Sequence, residues 1–170
     1  MLKIFYTNKK ISSFNFLKNI FLQYFNLKLT EKDIIKSKTG KPFLKNSNLF
    51  FNISHTDNFL IIAVSDCETG IDVECLNRKV SFAVAEKYFK DEYNNVNELI
   101  KLWTIKESLL KFFGKSVLTD LKDIKITNND IFYKNEKTAL KPFCLKIDDF
   151  YITIFTKNNY MLSSTDVNKL

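Results

Sequence analysis

Two short stretches carry charged side chains at spacings that could share one cation. In "GIDVE", residues 70–74, the period of two of a strand sets Asp72 and Glu74 on one face and Ile71 and Val73 on the other. The carboxylates can then meet a hard cation while the aliphatics anchor the strand. In "WTIKESLLK", residues 103–111, Trp103, Glu107 and Lys111 recur every four residues and share a helical face, with Lys106 displaced by one position. Each stretch has a plain alternative. An Asp-x-Glu pair is common on solvated strands, Glu107 and Lys111 suffice as a surface ion pair, and Trp103 can be a core anchor. If the helix crosses the strand, Glu107 adds a third oxygen ligand and leaves positions for water and a ligand phosphate, a pattern that suits Mg²⁺. Zinc fits poorly, because one histidine and three scattered cysteines have no ligand spacing.

The single histidine, His55, follows Ser54 at the end of "FNIS". As an ordinary residue it is a polar strand end; as a ligand it offers an imidazole proton to an anion while Ser54 supplies a hydroxyl. A Ser-His nucleophilic pair is disfavoured, since neighbours on a strand point to opposite sides and there is no G-x-S-x-G elbow. The absence of a Walker A loop and of G-x-G-x-x-G disfavours an ordinary nucleoside triphosphatase or dinucleotide enzyme. In "TGKPF", Gly40 frees the backbone and Pro42 biases Lys41 towards an extended conformation, so Lys41 projects from a constrained loop.

These residues need elements to position them, and an α+β arrangement is the one the pattern supports. "MLKIFYT" alternates as a strand, and "FNFLKNIFLQYFNL" places Phe14, Leu17, Phe21 and Phe25 near one helical stripe. Thr30 caps a further helical turn over 31–37. "LFFNIS" and "FLIIAVS" read as strands joined by "HTDN", and "DCETG" leads into "IDVE". Helices follow over "FAVAEKYFKDEY" and "VNELIKLWTIKESLLKFFG", the second ended by Gly114. Short strands at "DIKIT", "DIFYK", "FCLKI" and "YITIFT" precede a polar tail, "SSTDVNKL". The stretches "GKPFLKNSNLFFNIS" and "LKPFCLKIDDFYITI" echo one another, as two related halves would, or as chance in a lysine-rich chain equally would.

The 170 residues suffice for one domain or two tightly joined halves. Seventeen phenylalanines and seven tyrosines imply a ring-rich core. The longest apolar run, "FLIIAV", is far too short to span a bilayer, and the amino terminus lacks the features of a signal peptide, so a cytoplasmic protein is expected. Cys67, Cys75 and Cys144, odd in number and without a CxxC pair, argue against a disulfide framework. A formal charge of +7, with Arg78 the only arginine, favours a polyanionic partner. With so few bidentate forks, sequence-specific DNA recognition is disfavoured.

In "GKPFL" at 40–44, "FNISHT" at 51–56, "GIDVE" at 70–74 and "WTIKESLLKFFG" at 103–114 the sequence resembles the 4′-phosphopantetheinyl transferase superfamily, particularly its longer, monomeric surfactin-synthetase-activating type. The resemblance implies one domain over 1–170 made of two similar α/β halves related by a pseudo-twofold, about 1–95 and 96–170, with the ligand between them. It implies Mg²⁺ bound by Asp72, Glu74 and Glu107, and coenzyme A held by Lys41, Ser54, His55, Lys106 and Lys111. It further implies transfer of 4′-phosphopantetheine to a serine of an apo acyl or peptidyl carrier protein, releasing adenosine 3′,5′-bisphosphate. Glu107, Asp72 and Lys111 would be catalytic, and Glu92 would support the site or the partner surface. Lys9, Lys10 and Lys18 are the basic residues of the amino-terminal part that could meet the coenzyme. Ser116 stands where the family commonly has a second glycine. The competing readings are a magnesium-dependent phosphodiesterase or nuclease with the same carboxylates, and a nonenzymatic carrier- or RNA-binding domain.

Overall fold

The structure, a computed structural model, describes residues 1–89, 93–116, 120–127, 130–158, 160, 163 and 166–170. In β1 (Leu2–Thr7), Leu2 and Ile4 face one side and Phe5 the other. Then comes α1 (Ser13–Phe25), started by the Ser12 hydroxyl accepting from the Asn15 N–H at 3.2 Å and ended by Asn26 in the left-handed region at φ 50°. The helical turn expected over 31–37 is shorter: a 3-10 turn, Glu31–Asp33, runs directly into β2 (Ile34–Lys36). The β-branched pair Ile34 and Ile35 instead ladders with β3 (Pro42–Leu44), the chain reversing through Gly40 at φ 87°.

β4 (Phe50–Thr56) and β5 (Phe59–Ser65) form the expected hairpin, with Asp57 at φ 46° in its turn. The turn is tighter than "HTDN" suggests, so His55 and Thr56 belong to the strand. The chain continues through β6 (Thr69–Cys75), α2 (Phe82–Phe89) and α3 (Val96–Phe113). Asn95 Oδ1 accepts from the Glu98 N–H at 3.0 Å to start α3, and Gly114 at φ 62° ends it. A 3-10 turn then leads to β7 (Ile124–Thr127), β8 (Asp130–Tyr133), β9 (Glu136–Lys137), β10 (Phe143–Ile147) and β11 (Phe150–Thr156). The stretch read as a polar tail contains β12 (Val167–Lys169), which lies parallel to β1 with Val167 opposite Ile4. Backbone pairing on that edge of β1 outweighs the polar composition of the segment.

Two sheets form the centre, ordered β12-β1-β5-β4 and β10-β11-β6. Because β5 is buried on both faces, its alternate residues serve two cores. Phe59, Ile61 and Ala63 meet Ile71, Val73, Ile152 and Ile154 of the second sheet, while Leu60, Ile62 and Val64 meet Phe16, Leu17, Ile20 and Phe21 of α1. On the far side of the second sheet, Leu109 and Leu110 of α3 share a third core with Phe155, Leu121, Ile124 and Ile131. Burying each such side chain stabilises by roughly 1.5–3 kcal/mol relative to leaving it exposed. The resulting layers, helix, sheet, sheet, helix, are an α+β fold with β6 lying under α3. Among the described residues no helix is long and apolar enough to cross a membrane.

Candidate active site on one face of a buried strand

The alternation expected of "GIDVE" is present. Ile71 and Val73 enter the core between the sheets, and Gly70, Asp72 and Glu74 face α3. Gly70 permits the close approach: a Cβ there would lie 2.2 Å from the Ser108 carbonyl oxygen and 2.3 Å from the Phe112 nitrogen, both backbone atoms of α3. Without that glycine the helix could not bring Glu107 and Lys111 down onto the strand.

The other edge of β6 faces β4, where side chains do the work of a ladder. Asn52 Oδ1 accepts from the Ile71 N–H at 2.9 Å, and Ser54 Oγ accepts from the Val73 N–H at 3.3 Å. The Ser54 hydroxyl donates to Asp72 Oδ1 at 2.8 Å, and that of Thr56 to Glu74 Oε2 at 3.3 Å. Residues 52, 54 and 56 therefore all address β6, and Ser54 ties backbone pairing to the carboxylate group.

Lys111 Nζ lies 2.6 Å from Asp72 Oδ1, 3.0 Å from Ser54 Oγ and 3.9 Å from Glu107 Oε2. Asp72 Oδ2, by contrast, is buried with no hydrogen-bond partner among the described residues. Burial, reinforced by the charge of Asp72 and opposed by Lys111, pushes the Glu107 carboxyl up to about 7. Burial raises Glu74 as well, against the pull of the Arg78 guanidinium paired with it. Among the described residues no three His, Cys, Asp or Glu side chains are disposed as a ready metal cluster. The carboxylates instead feel each other's charge with Lys111 and Arg78 set against them. An all-oxygen donor set with one unpartnered buried carboxylate oxygen nonetheless has the chemistry that a hard divalent cation requires.

The structure thus brings Ser54, Asp72, Glu107 and Lys111 together, with Glu74 beside them. Lys41 folds inward: its ammonium pairs with Glu68 and donates to the carbonyls of Thr69 at 3.2 Å and Phe112 at 3.1 Å. Its loop still lines, with Pro42, Asn52, Lys111, Gly114 and Lys115, a groove of about 260 Å³. His55 is exposed on the opposite face of β4 from Ser54 and lines a separate hollow of about 330 Å³ with Lys9 and Lys10. The Lys18 ammonium lies 5.6 Å from the centre of the Phe14 ring. Lys106 is fully buried, donating to the Tyr88 carbonyl at 3.2 Å with its ammonium 4.6 Å from the centre of the Phe89 ring. Glu92 lies outside the described residues. Asn52, Thr56 and Arg78 were not read from the sequence as residues of the site. The N-x-S-x-T period in "FNISHT" was the available signal for the first two. The lone arginine four residues beyond Glu74 was the signal for the third.

Comparison with known proteins bears on the same elements. The chain is 33% identical over 115 residues to the 4′-phosphopantetheinyl transferase gsp of Aneurinibacillus migulanus, covering 60% of this chain and 48% of that protein. It is 32% identical over 98 residues to the 4′-phosphopantetheinyl transferase ffp of Bacillus subtilis, covering 51% and 43% respectively. With the L-aminoadipate-semialdehyde dehydrogenase-phosphopantetheinyl transferase of Candida glabrata it shares 29% identity over 137 residues, covering 70% and 52%. The chain spans about half the length of the curated relatives it matches. The model of one family, described as the 4′-phosphopantetheinyl transferase superfamily, matches residues 68–154. That is just over half of the chain, and it takes in β6 and α3, the elements that carry Asp72, Glu74, Glu107 and Lys111; the chain belongs to the 4′-phosphopantetheinyl transferase superfamily.

Proposed function

We propose that this protein transfers 4′-phosphopantetheine from coenzyme A to a serine hydroxyl of an apo acyl or peptidyl carrier protein, with Mg²⁺ as cofactor and adenosine 3′,5′-bisphosphate as the leaving product. The observation that carries this reading is the meeting of Asp72, Glu107 and Lys111 with Ser54 on the α3 face of β6, the first three within the stretch that the family model matches. Asp72, Glu74 and Glu107 would hold the cation, which when bound supplies charge neutralisation for the coenzyme pyrophosphate. Lys111 turns from Asp72 to the pyrophosphate oxygens and stabilises the charge that develops there. The groove between Lys41 and Lys111 receives the coenzyme, and Ser54 donates to it. His55, with Lys9 and Lys10, takes a terminal phosphate from the far side of β4, while Lys106 supports the site from within the packing of α2 on α3.

In the transfer itself the carrier serine oxygen forms a bond to the pantetheine-side phosphorus as the bond from that phosphorus to the bridging oxygen breaks. The serine proton goes to Glu107, directly or through a water. The protein acts as a monomer in the cytoplasm, of the longer type of its superfamily, and its +7 charge draws in acidic carriers. Residues 1–95 and 96–170 form its two related halves, and the echoed KPF motifs, which open β3 and β10 ahead of the ring-rich strands β4 and β11, support that division.

The test is incubation with coenzyme A, Mg²⁺ and an apo acyl carrier protein, followed by intact mass of the carrier. A serine-linked phosphopantetheine adduct that requires Mg²⁺, and that forms at least about 10²-fold more slowly with Glu107→Gln, supports the reading. No adduct on several folded apo carriers, together with metal-dependent cleavage of RNA or DNA, would replace it with the nuclease.

A further inference from the structure

The one arginine of the chain sits where a cation would have to compete with it. Arg78 is placed by a turn after β6: its N–H donates to the Cys75 carbonyl at 3.1 Å, and the same turn is tied down by the Leu76 N–H on the Asp149 carbonyl at 2.9 Å. From there the side chain folds back on Glu74, and the guanidinium carbon lies 5.8 Å from the centre of the Trp103 ring. Glu74 is thus held from two sides, by Thr56 and by Arg78, with its side chain only 12% exposed. A hollow of about 230 Å³ bounded by Arg78, Val80, Leu99 and Trp103 gives the guanidinium somewhere to go if Glu74 turns away.

We propose that Arg78 is a resident counter-cation for Glu74, occupying that carboxylate in the metal-free protein and yielding it when a divalent cation binds, so that Arg78 sets the affinity of the cation site. The inference rests on the reading that Asp72, Glu74 and Glu107 hold the cation. Arg78 is a positioning residue and touches no reacting atom. Two effects oppose the incoming ion and have the same sign. The guanidinium must give up a charge-assisted pair, and its own positive charge repels a second cation at close range. Lys111 stands in the same relation to Asp72, but it also faces Glu107 and the groove, so its removal would disturb more than one step. Arg78 offers the separable case.

Because the chain has a single arginine and a single tryptophan, both partners can be observed in the wild-type chain. In a ¹H–¹⁵N spectrum tuned to arginine side chains, the one Nε–H signal should shift on addition of Mg²⁺, and Trp103 fluorescence should change over the same concentration range. Calorimetric titration with Mg²⁺ at pH 8 should show Arg78→Gln binding about tenfold more tightly than wild type, with Arg78→Lys in between. An arginine signal that stays fixed while Mg²⁺ binds would overturn the inference and leave the cation site standing, as would equal affinity in folded Arg78→Gln. Mg²⁺ uptake by neither wild type nor folded Arg78→Gln would overturn both. Should Arg78→Gln fail to fold, the wild-type arginine signal and Arg78→Lys decide the matter.

Discussion

Along one edge β6 pairs with β11 residue for residue, from Thr69 opposite Thr156 to Cys75 opposite Phe150. Along the other edge, the Ile71 and Val73 N–H groups meet the side chains of Asn52 and Ser54. The first edge uses groups that every residue carries, so it places the strand without selecting what the strand displays. The second edge can be made only by polar side chains of the right length at alternate positions, and Ser54 and Thr56 reach on to Asp72 and Glu74. The same contacts that close the seam therefore shape the ionic group.

The comparison is most severely tested where both edges depend on α3 lying flat over β6. Gly70→Val puts a side chain against the Ser108 and Phe112 backbone, which can yield only if the helix moves. The expected loss exceeds about 3 kcal/mol, near the upper end for overpacking, and urea unfolding monitored by circular dichroism would show it. A loss below about 1 kcal/mol would mean that α3 floats above the strand, and that neither edge fixes the site.

Next in size is the cost of the charge that the laced edge gathers. Glu107 has its folded pKa raised from 4.5 to about 7, so below 4.5 both states hold the proton and the folded state has its full stability. Between 4.5 and 7 the unfolded chain ionises while the buried carboxyl does not, and the stability is lost as pH rises through 7. With the side chain 16% exposed, the loss should be about 3 kcal/mol in metal-free buffer. Glu74, also raised, acts in the same sense. Chemical unfolding at pH 5 and pH 8 measures the difference; Glu107→Gln should largely abolish it, and Mg²⁺ at pH 8 should restore stability to wild type.

Much of this arrangement was legible in the sequence, and the parts that were not share a cause. The period of two in "GIDVE" and the four-residue spacing in "WTIKESLLK" report which side chains share a face, and both faces are as read. That strand and helix lie together is a tertiary fact, which four ordered motifs supported only through resemblance. Lys106 shows the limit: one position from Glu107, it is turned roughly 100° around the helix and enters the packing of α2. Likewise, β12 depends on an open edge of β1 over 160 residues earlier in the chain, and nothing local in "VNK" announces it.

The smallest expected effects separate the two edges most cleanly. Asn52→Ala removes the acceptor of the Ile71 N–H, a group on a fully buried residue with no water to turn to, and should cost about 1–3 kcal/mol. On the ladder edge, Thr153→Val opposite Asp72 removes the hydroxyl's bond to Thr104 at 3.1 Å and its weak contact with the Cys144 thiol at 3.8 Å. Thr104 keeps its own bond to the Lys101 carbonyl at 2.8 Å, and the ladder loses nothing, so the cost should stay below about 1 kcal/mol. The same two variants should differ in a second measurement. Asn52→Ala loosens the seam that Ser54 shares, so it should weaken Mg²⁺ binding along with stability; Thr153→Val should leave Mg²⁺ affinity unchanged. Equal stability losses with equal, unaltered affinities would mean that the polar seam is merely a poorer ladder, with no hold on the carboxylates beside it.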